Sequence, residues 1–275
     1  MAMGNRPEVK TAPAPIVALD VSLLAGQFAT ALARVPFRRP FSGDFSPLSN
    51  LGVSVTRETI RAFIGYASAL RIPEFRSLEL VLDDICQWIM PPIVRSLDVE
   101  GRAAEFGGVP GILYVSRHQA PVGVVLYLHG GGYIGTSPTM YAFFTARVCR
   151  ETGCAVFVAD YRLAPEFPYP AASEDASAIY TDFVRRGIPP ARIFLAGDSG
   201  GGGLANTVLL EPSERIDPVR PAGLVLFSPE VDLRLDEDSI TENADRDILP
   251  GTSRRRHTST ASMPPAARSR PWTPT

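Results

Sequence analysis

Two glycine clusters, each placed where a run of strand-forming residues ends, constrain this chain more than any other feature. The first, His129-Gly130-Gly131-Gly132, follows the apolar, β-branched run Val122 to Leu128. The second, Gly197-Asp198-Ser199-Gly200-Gly201, follows Arg192 to Ala196 and leads into a helical pattern from Leu204 to Leu210. A chain that passes this abruptly from strand to helix has no room for side chains two residues before and two after the turning residue. Gly197 and Gly201 therefore read as steric requirements. The turn lifts the Ser199 hydroxyl above the end of the sheet, and the helix behind it aims the Gly200 amide at whatever that hydroxyl approaches. Gly202 and Gly203 let the same helix pack closely.

This is the strand–turn–helix setting that the pattern G-x-S-x-G needs to act as a nucleophile elbow. The upstream cluster supplies the complementary half. Three successive glycines free the backbone to expose several amides in one direction, so Gly131 and Gly132 are expected to donate to the same oxygen as Gly200. Each such oxyanion donor contributes about 3 kcal/mol to transition-state stabilisation in protease examples. His129 and Gly130 are expected to support that loop through hydrogen bonds, with His129 an anchor and not a base. A competing reading exists. Gly130-Gly131-Gly132-Tyr133-Ile134-Gly135 also satisfies G-x-G-x-x-G, and Asp160 closes the next apolar run, Cys154 to Ala159, where a ribose-binding acid of an NAD-binding Rossmann-type oxidoreductase sits. That alternative leaves the elbow at Ser199 and the segment Tyr161 to Glu166 unexplained.

Four segments together resemble the hormone-sensitive-lipase family of α/β-hydrolases: His129 to Tyr133, Asp160-Tyr161-Arg162-Leu163-Ala164-Pro165-Glu166, the following Phe167-Pro168-Tyr169-Pro170-Ala171-Ala172, and Gly197 to Gly202. Their order and spacing match the family from about Glu105 to about Pro250, with one small departure at Gly200, where the family usually carries alanine. The resemblance implies a carboxylesterase or lipase-like hydrolase with Ser199 as nucleophile and Gly131, Gly132 and Gly200 as oxyanion donors. It also implies small-molecule carboxylic esters of short or medium acyl chain as substrates, and no cofactor.

The remaining pattern fits an α/β fold with a mostly parallel central sheet flanked by helices. Strand candidates at Ile112 to Val115, Val122 to Leu128, Cys154 to Ala159, Arg192 to Ala196 and Ala222 to Phe227 alternate with helices after the second, third and fourth. Ala172 to Arg186 places Ala176, Ile179, Tyr180 and Phe183 at helical spacing, as core residues, and Ile188-Pro189-Pro190 ends it. Residues 1–97 read as an N-terminal helical cap, 98–250 as the hydrolase core and 251–275 as an Arg/Ser/Thr/Pro-rich disordered tail. In the cap, Thr56 to Arg71 sets Ile60, Phe63, Ile64 and Ala67 on one face. Leu78 to Ile89 does so with Val81, Leu82, Ile85 and Trp88, closed by Pro91-Pro92. By resemblance, these helices shape the acyl pocket.

Val17 to Val35 is a further apolar helical stretch, but Asp20 and Gly26 interrupt it. It has neither a basic n-region nor a small-residue cleavage site, so neither a signal peptide nor a membrane span is expected. A weak lipid contact through Phe28, Phe37, Arg38 and Arg39 is the alternative. Cys86, Cys149 and Cys154, odd in number and set in apolar patterns, point to reduced core thiols and a cytoplasmic setting. No metal-ligand spacing occurs. The formal charge of −2 combines five Arg and no acid in residues 251–275 with −7 in residues 1–250, so nothing basic marks the folded part for nucleic acid.

From Gly251 the sequence loses all strand or helix period. In this fold the triad runs Ser, then Asp or Glu, then His, and the resemblance places both later members beyond Thr275, together with two strands of the sheet edge. A frameshift or premature end near Pro250 is the expectation, and an acid segment or late histidine in another reading frame beyond that codon is the observation that tests it. His118, His129 and His257 are the only histidines, and none is expected to serve as base. Asp232 comes one strand too soon for the acid. A non-catalytic binder of small apolar esters or acids, keeping the pocket without the base, is the second functional reading.

Overall fold

The computed structural model describes residues 10–38, 44–210 and 220–233, with positions 242, 243, 247 and 249. The tail expected over 251–275, with His257 in it, lies outside the described residues. The described chain divides into two compact units, one of residues 10–82 together with the described positions from 232 to 249, the other of residues 83–231.

The first unit is helical: α1 (Ala14–Arg34), α2 (Pro47–Ala67) and the first half of α3 (Ile72–Ser96). Ser46 caps α2 by accepting the Ser49 amide at 3.1 Å, with Pro47 at the first helical position where its missing N–H costs nothing. Helix α1 is continuous through Asp20 and Gly26. Asp20 turns inward, 6% exposed, and accepts the Tyr66 hydroxyl at 2.8 Å. Burial and this bond push Tyr66 up to about 12. By length and composition alone, Ala14–Phe37 is apolar enough to cross a membrane. In the structure its Leu24 and Ala31 are buried.

Helix α3 also departs from expectation, because it runs through Pro91-Pro92 to Ser96. Each proline removes a bond to the carbonyl four residues back and crowds it. Those carbonyls belong to Gln87 and Trp88; both residues are exposed, so water can reach this side of the helix. Beyond the prolines Val94 and Leu97 are buried against the sheet and hold the last turn in place. Ile85 and Trp88, expected on the buried face, are 48% and 83% exposed. The helical period fixed a face without identifying what it packs on.

In the second unit six strands run in the order β1-β2-β4-β3-β5-β6: β1 (Val99–Phe106), β2 (Val109–Ser116), β3 (Val124–Leu128), β4 (Ala155–Ala159), β5 (Ile193–Asp198) and β6 (Gly223–Phe227). The last four are mutually parallel, and β2 pairs antiparallel with β1 and β4. Strand β1 has no counterpart among the strand candidates of the sequence, because its interior Glu100-Gly101-Arg102-Ala103-Ala104-Glu105 carries no apolar alternation. Gly107-Gly108, both at positive φ (61° and 79°), make the two-residue hairpin turn that joins it to β2.

Strands β3 and β4 are buried along their whole length, as expected of parallel strands covered on both faces. Val124, Leu126 and Leu128 face a core shared with α5 (Ala171–Arg185) and α6 (Ser199–Leu210), including Ile179, Phe183 and Leu204. Val125 and Tyr127 face the opposite core, with Ala146 and Cys149 of α4 (Ala142–Thr152). Ala176, Ile179, Tyr180 and Phe183 are all buried, as their spacing required. Strand β6 pairs with β5 alone among the described strands.

Candidate active site

The strand order explains why two turns so far apart in sequence meet. From β3 the chain leaves through α4 toward β4 on one side, and from β5 through α6 toward β6 on the other. Connections that diverge from neighbouring parallel strands open a crevice at their carboxyl ends. Leu128 pairs with Gly197 in register, so the loop after β3 and the turn after β5 emerge side by side.

At that turn Ser199 has φ +52°, in the left-handed region that a non-glycine residue rarely occupies. A Cβ on Gly197 would stand 2.5 Å from the Gly201 carbonyl oxygen, and one on Gly201 would collide with the carbonyl oxygens of Leu128 and His129. The two glycines are thus required by backbone proximity, as the sequence implied. No residue among those described hydrogen-bonds the Ser199 hydroxyl. A methyl built on Gly200 would lie 3.2 Å from the Tyr133 amide nitrogen and 3.3 Å from the Gly132 Cα, which puts the elbow in contact with the glycine loop. The Glu230 amide donates to the Ser199 carbonyl at 2.8 Å from behind.

In the loop, Gly131, Gly132, Tyr133 and Thr136 all have positive φ (123°, 61°, 63° and 71°). The amides of Ile134 and Gly135 close back on the Gly131 carbonyl at 3.1 Å. The amides of Gly131 and Gly132 donate to no group among the described residues. Gly200 lies in the first turn of α6, where backbone amides lack intrahelical acceptors.

His129 is fully buried. Its Nδ1 donates to the Gly130 carbonyl at 2.9 Å and lies 2.8 Å from the Thr136 hydroxyl. The ring stacks on Tyr161 at 4.4 Å, and the Tyr161 hydroxyl donates to the His129 carbonyl at 2.6 Å. His129 is thus engaged with Gly130, Thr136 and Tyr161. Arg162, next in the chain, binds both carboxylate oxygens of Asp175 through Nε (2.9 and 3.0 Å) and braces the start of α5. The Tyr161-Arg162 part of that sequence segment is therefore structural support.

Asp198 has a role that the sequence does not announce. Its Oδ1 accepts the Tyr127 hydroxyl at 2.8 Å and the Gly130 amide at 3.0 Å, and its Oδ2 accepts the Tyr141 hydroxyl at 2.8 Å. The Gly130 amide also reaches the Tyr141 hydroxyl at 3.0 Å. Burial first, then the neighbouring carboxylate, pushes the phenols of Tyr127 and Tyr141 far above their ordinary range, so both remain donors at neutral pH. The placement of Tyr127 inside an otherwise aliphatic strand is the one available sequence signal.

The structure separates the other histidine from this end of the sheet. His118 lies in the turn before β3, at the opposite end of that strand from Leu128, 3.6 Å from Asp98 and 70% exposed. Among the described residues no three His, Cys, Asp or Glu side chains form a group suited to a metal ion. The dinucleotide reading fails on geometry. A Rossmann glycine loop opens directly into a helix whose N-terminus receives the pyrophosphate, whereas here Gly135 is followed by turns and α4 begins only at Ala142.

A parallel sheet with an elbow after β5 and a glycine loop after β3 defines an α/β hydrolase. The profile of a family described as alpha/beta hydrolase fold matches residues 125–274, continuing through the stretch after Pro250, and the chain belongs to that family. An esterase from the bacterial hormone-sensitive lipase family, solved by crystallography, superposes with a TM-score of 0.62 at 30% identity, covering 75% of this chain and 67% of that one. Within the α/β hydrolases, this chain therefore belongs with the hormone-sensitive-lipase-like group. An acetyl-hydrolase of Streptomyces hygroscopicus is 41% identical over 129 residues, 47% of this chain and 43% of that protein. An esterase of Acinetobacter venetianus is 31% identical over 195 residues, 70% of this chain and 62% of that protein. The chain spans about half the length of the curated relatives it matches.

Proposed function

We propose that this chain is a carboxylic-ester hydrolase with Ser199 as nucleophile and Gly131, Gly132 and Gly200 as oxyanion donors. The observation that carries the reading is Ser199 held at φ +52°, its hydroxyl unengaged among the described residues, against a loop whose Gly131 and Gly132 amides have no acceptor there. The names of the relatives, acetyl-hydrolase and esterase, support small esters of short acyl chain as the substrate class.

In this mechanism Ser199 Oγ bonds to the ester carbonyl carbon while its proton passes to a general base. The carbonyl oxygen, now an alkoxide, is received by the amides of Gly131, Gly132 and Gly200. The C–O bond to the alcohol breaks as that proton is returned to the leaving oxygen, leaving an acyl-serine. Water then attacks the acyl carbon through the same oxyanion site, releasing the acid and restoring Ser199. His129 is committed to the loop and His118 lies at the far end of β3, so neither is assigned the base. That placement favours a second reading, a binder that receives small esters or acids on the same amides without turning them over.

The deciding experiment is hydrolysis of p-nitrophenyl acetate and butyrate by the purified chain beside Ser199→Ala, with both shown folded by circular dichroism. Turnover that disappears in Ser199→Ala is the expected result. Equal background rates from both folded proteins would remove the hydrolase reading, and ligand-dependent thermal protection would then support the binder.

A further inference from the structure

The two halves of the site come from segments about seventy residues apart (His129 to Ser199), and backbone pairing ends at Leu128 and Gly197. Beyond that register something must fix the glycine loop relative to the elbow, since glycines impose little conformational restriction of their own. The first residue beyond the β3–β5 pairing on the elbow side is Asp198, which still pairs with Phe227 of β6. Its carboxylate is the acceptor at which the loop meets the elbow: Gly130 N–H at 3.0 Å from the loop, Tyr141 Oη at 2.8 Å from the residue before α4, and Tyr127 Oη at 2.8 Å from within β3. Tyr141 closes the arrangement, because its hydroxyl also receives the Gly130 amide. Gly130 has no side chain for a steric reason specific to this contact. A Cβ there would collide with Asp198 Oδ2 and lie 3.0 Å from the Tyr141 hydroxyl.

We infer that Asp198 is a positioning residue: by holding the Gly130 amide it sets the orientation of the next two peptide groups, and so directs the Gly131 and Gly132 amides at the oxygen bound in front of Ser199. The inference rests on the proposed ester-hydrolase reading and adds to it a residue that touches no substrate. Its consequence is selective. A loosened loop weakens stabilisation of the developing alkoxide, which belongs to the transition state, and leaves ground-state ester binding in place.

The test compares Asp198→Ala, Asp198→Asn and Tyr141→Phe with Asp182→Asn. Asp182 caps the Gly107 amide at 2.9 Å and binds Arg185 and Arg186, so its variant loses stability away from the site. With p-nitrophenyl acetate, Asp198→Ala is expected to lower kcat by about tenfold or more with KM within about twofold, as for partial loss of an oxyanion donor. Asp198→Asn recovers most of that loss, because its amide oxygen still accepts Gly130 N–H while the Tyr141 hydroxyl turns to accept from the amide nitrogen. Tyr141→Phe falls between the two, and Asp182→Asn lowers the Tm with kcat unchanged. A rise in KM at constant kcat, or a loss of kcat that follows Tm across all four variants, would overturn the inference.

Amide hydrogen exchange over residues 129–133 gives a readout independent of turnover, with faster exchange expected in Asp198→Ala and Tyr141→Phe than in Asp182→Asn. If hydrolysis survives in Ser199→Ala, the reading of the site fails separately, and exchange alone judges the clamp. Equal exchange in Asp198→Ala and Asp182→Asn then counts against it.

Discussion

At the scale of single residues, Ser199 carries the clearest conflict between conformation and chemistry. An L-residue in the left-handed region costs roughly 1–2 kcal/mol, and Ser199 holds φ +52°. Strain of this kind persists only where surrounding structure over-determines it. Here the Leu128–Gly197 pairing and the backbone contacts at Gly197 and Gly201 do so. Ser199→Gly removes the strain together with the nucleophile. It is expected to be more stable than Ser199→Ala by about 1 kcal/mol, measured by urea unfolding of the two variants. A less stable glycine variant would mean that position 199 stores no strain. The sequence announced these positions because only glycine satisfies the geometry. It was silent on Asp198, whose partners Tyr127 and Tyr141 lie 71 and 57 residues away.

Among the elements, α5 and α3 show two different relations between pattern and outcome. Helix α5 was readable because its spacing of Ala176, Ile179, Tyr180 and Phe183 coincides with its burial. Its last turn carries Asp182, which burial pushes up but the Gly107 amide, Arg185 and Arg186 together hold below the ordinary aspartate value of 3.8. A carboxyl lowered in the folded state contributes stability that is present above its unfolded value and is lost as pH falls through its folded value. The stability gap between wild type and Asp182→Asn is therefore widest above about pH 5 and closes as pH falls below the ordinary carboxylate range. Tm measured from pH 7 down to pH 3 checks this, and a gap constant over that range would mean that the Asp182 carboxylate contributes nothing as a charge. Helix α3 departs from its sequence pattern at its prolines, since propensity treats Pro91-Pro92 as an end. Burial of Val94 and Leu97 carries the helix past them. Tertiary packing outweighed a local rule.

For the whole molecule, the sheet unit and the helical unit each leave large apolar side chains exposed. Strand β6 presents Val225 and Phe227 at 46% and 45% exposure and pairs only with β5 among the described strands. A strand of this kind is a template for pairing with another chain. Val225→Lys is expected to reduce concentration-dependent light scattering of the purified protein, because an edge charge disfavours strand addition. Unchanged scattering would show that association, if any, uses another surface. Helix α1 exposes Leu19, Leu23 and Leu32 at 57%, 48% and 48%.

Glycine placement, strand-like apolar runs and helical periodicity were enough to determine the α/β class, the sharp strand-to-helix turn at Ser199 and the buried face of α5. These features depend on local sterics and on short-range period, which a linear string records directly. The strand order β1-β2-β4-β3-β5-β6, the β1 hairpin, the run of α3 through its prolines and the meeting of Tyr127, Tyr141 and Gly130 on Asp198 were decided by the tertiary structure alone. Each depends on pairings between distant segments, and their energies arise only once the chain has brought those segments together.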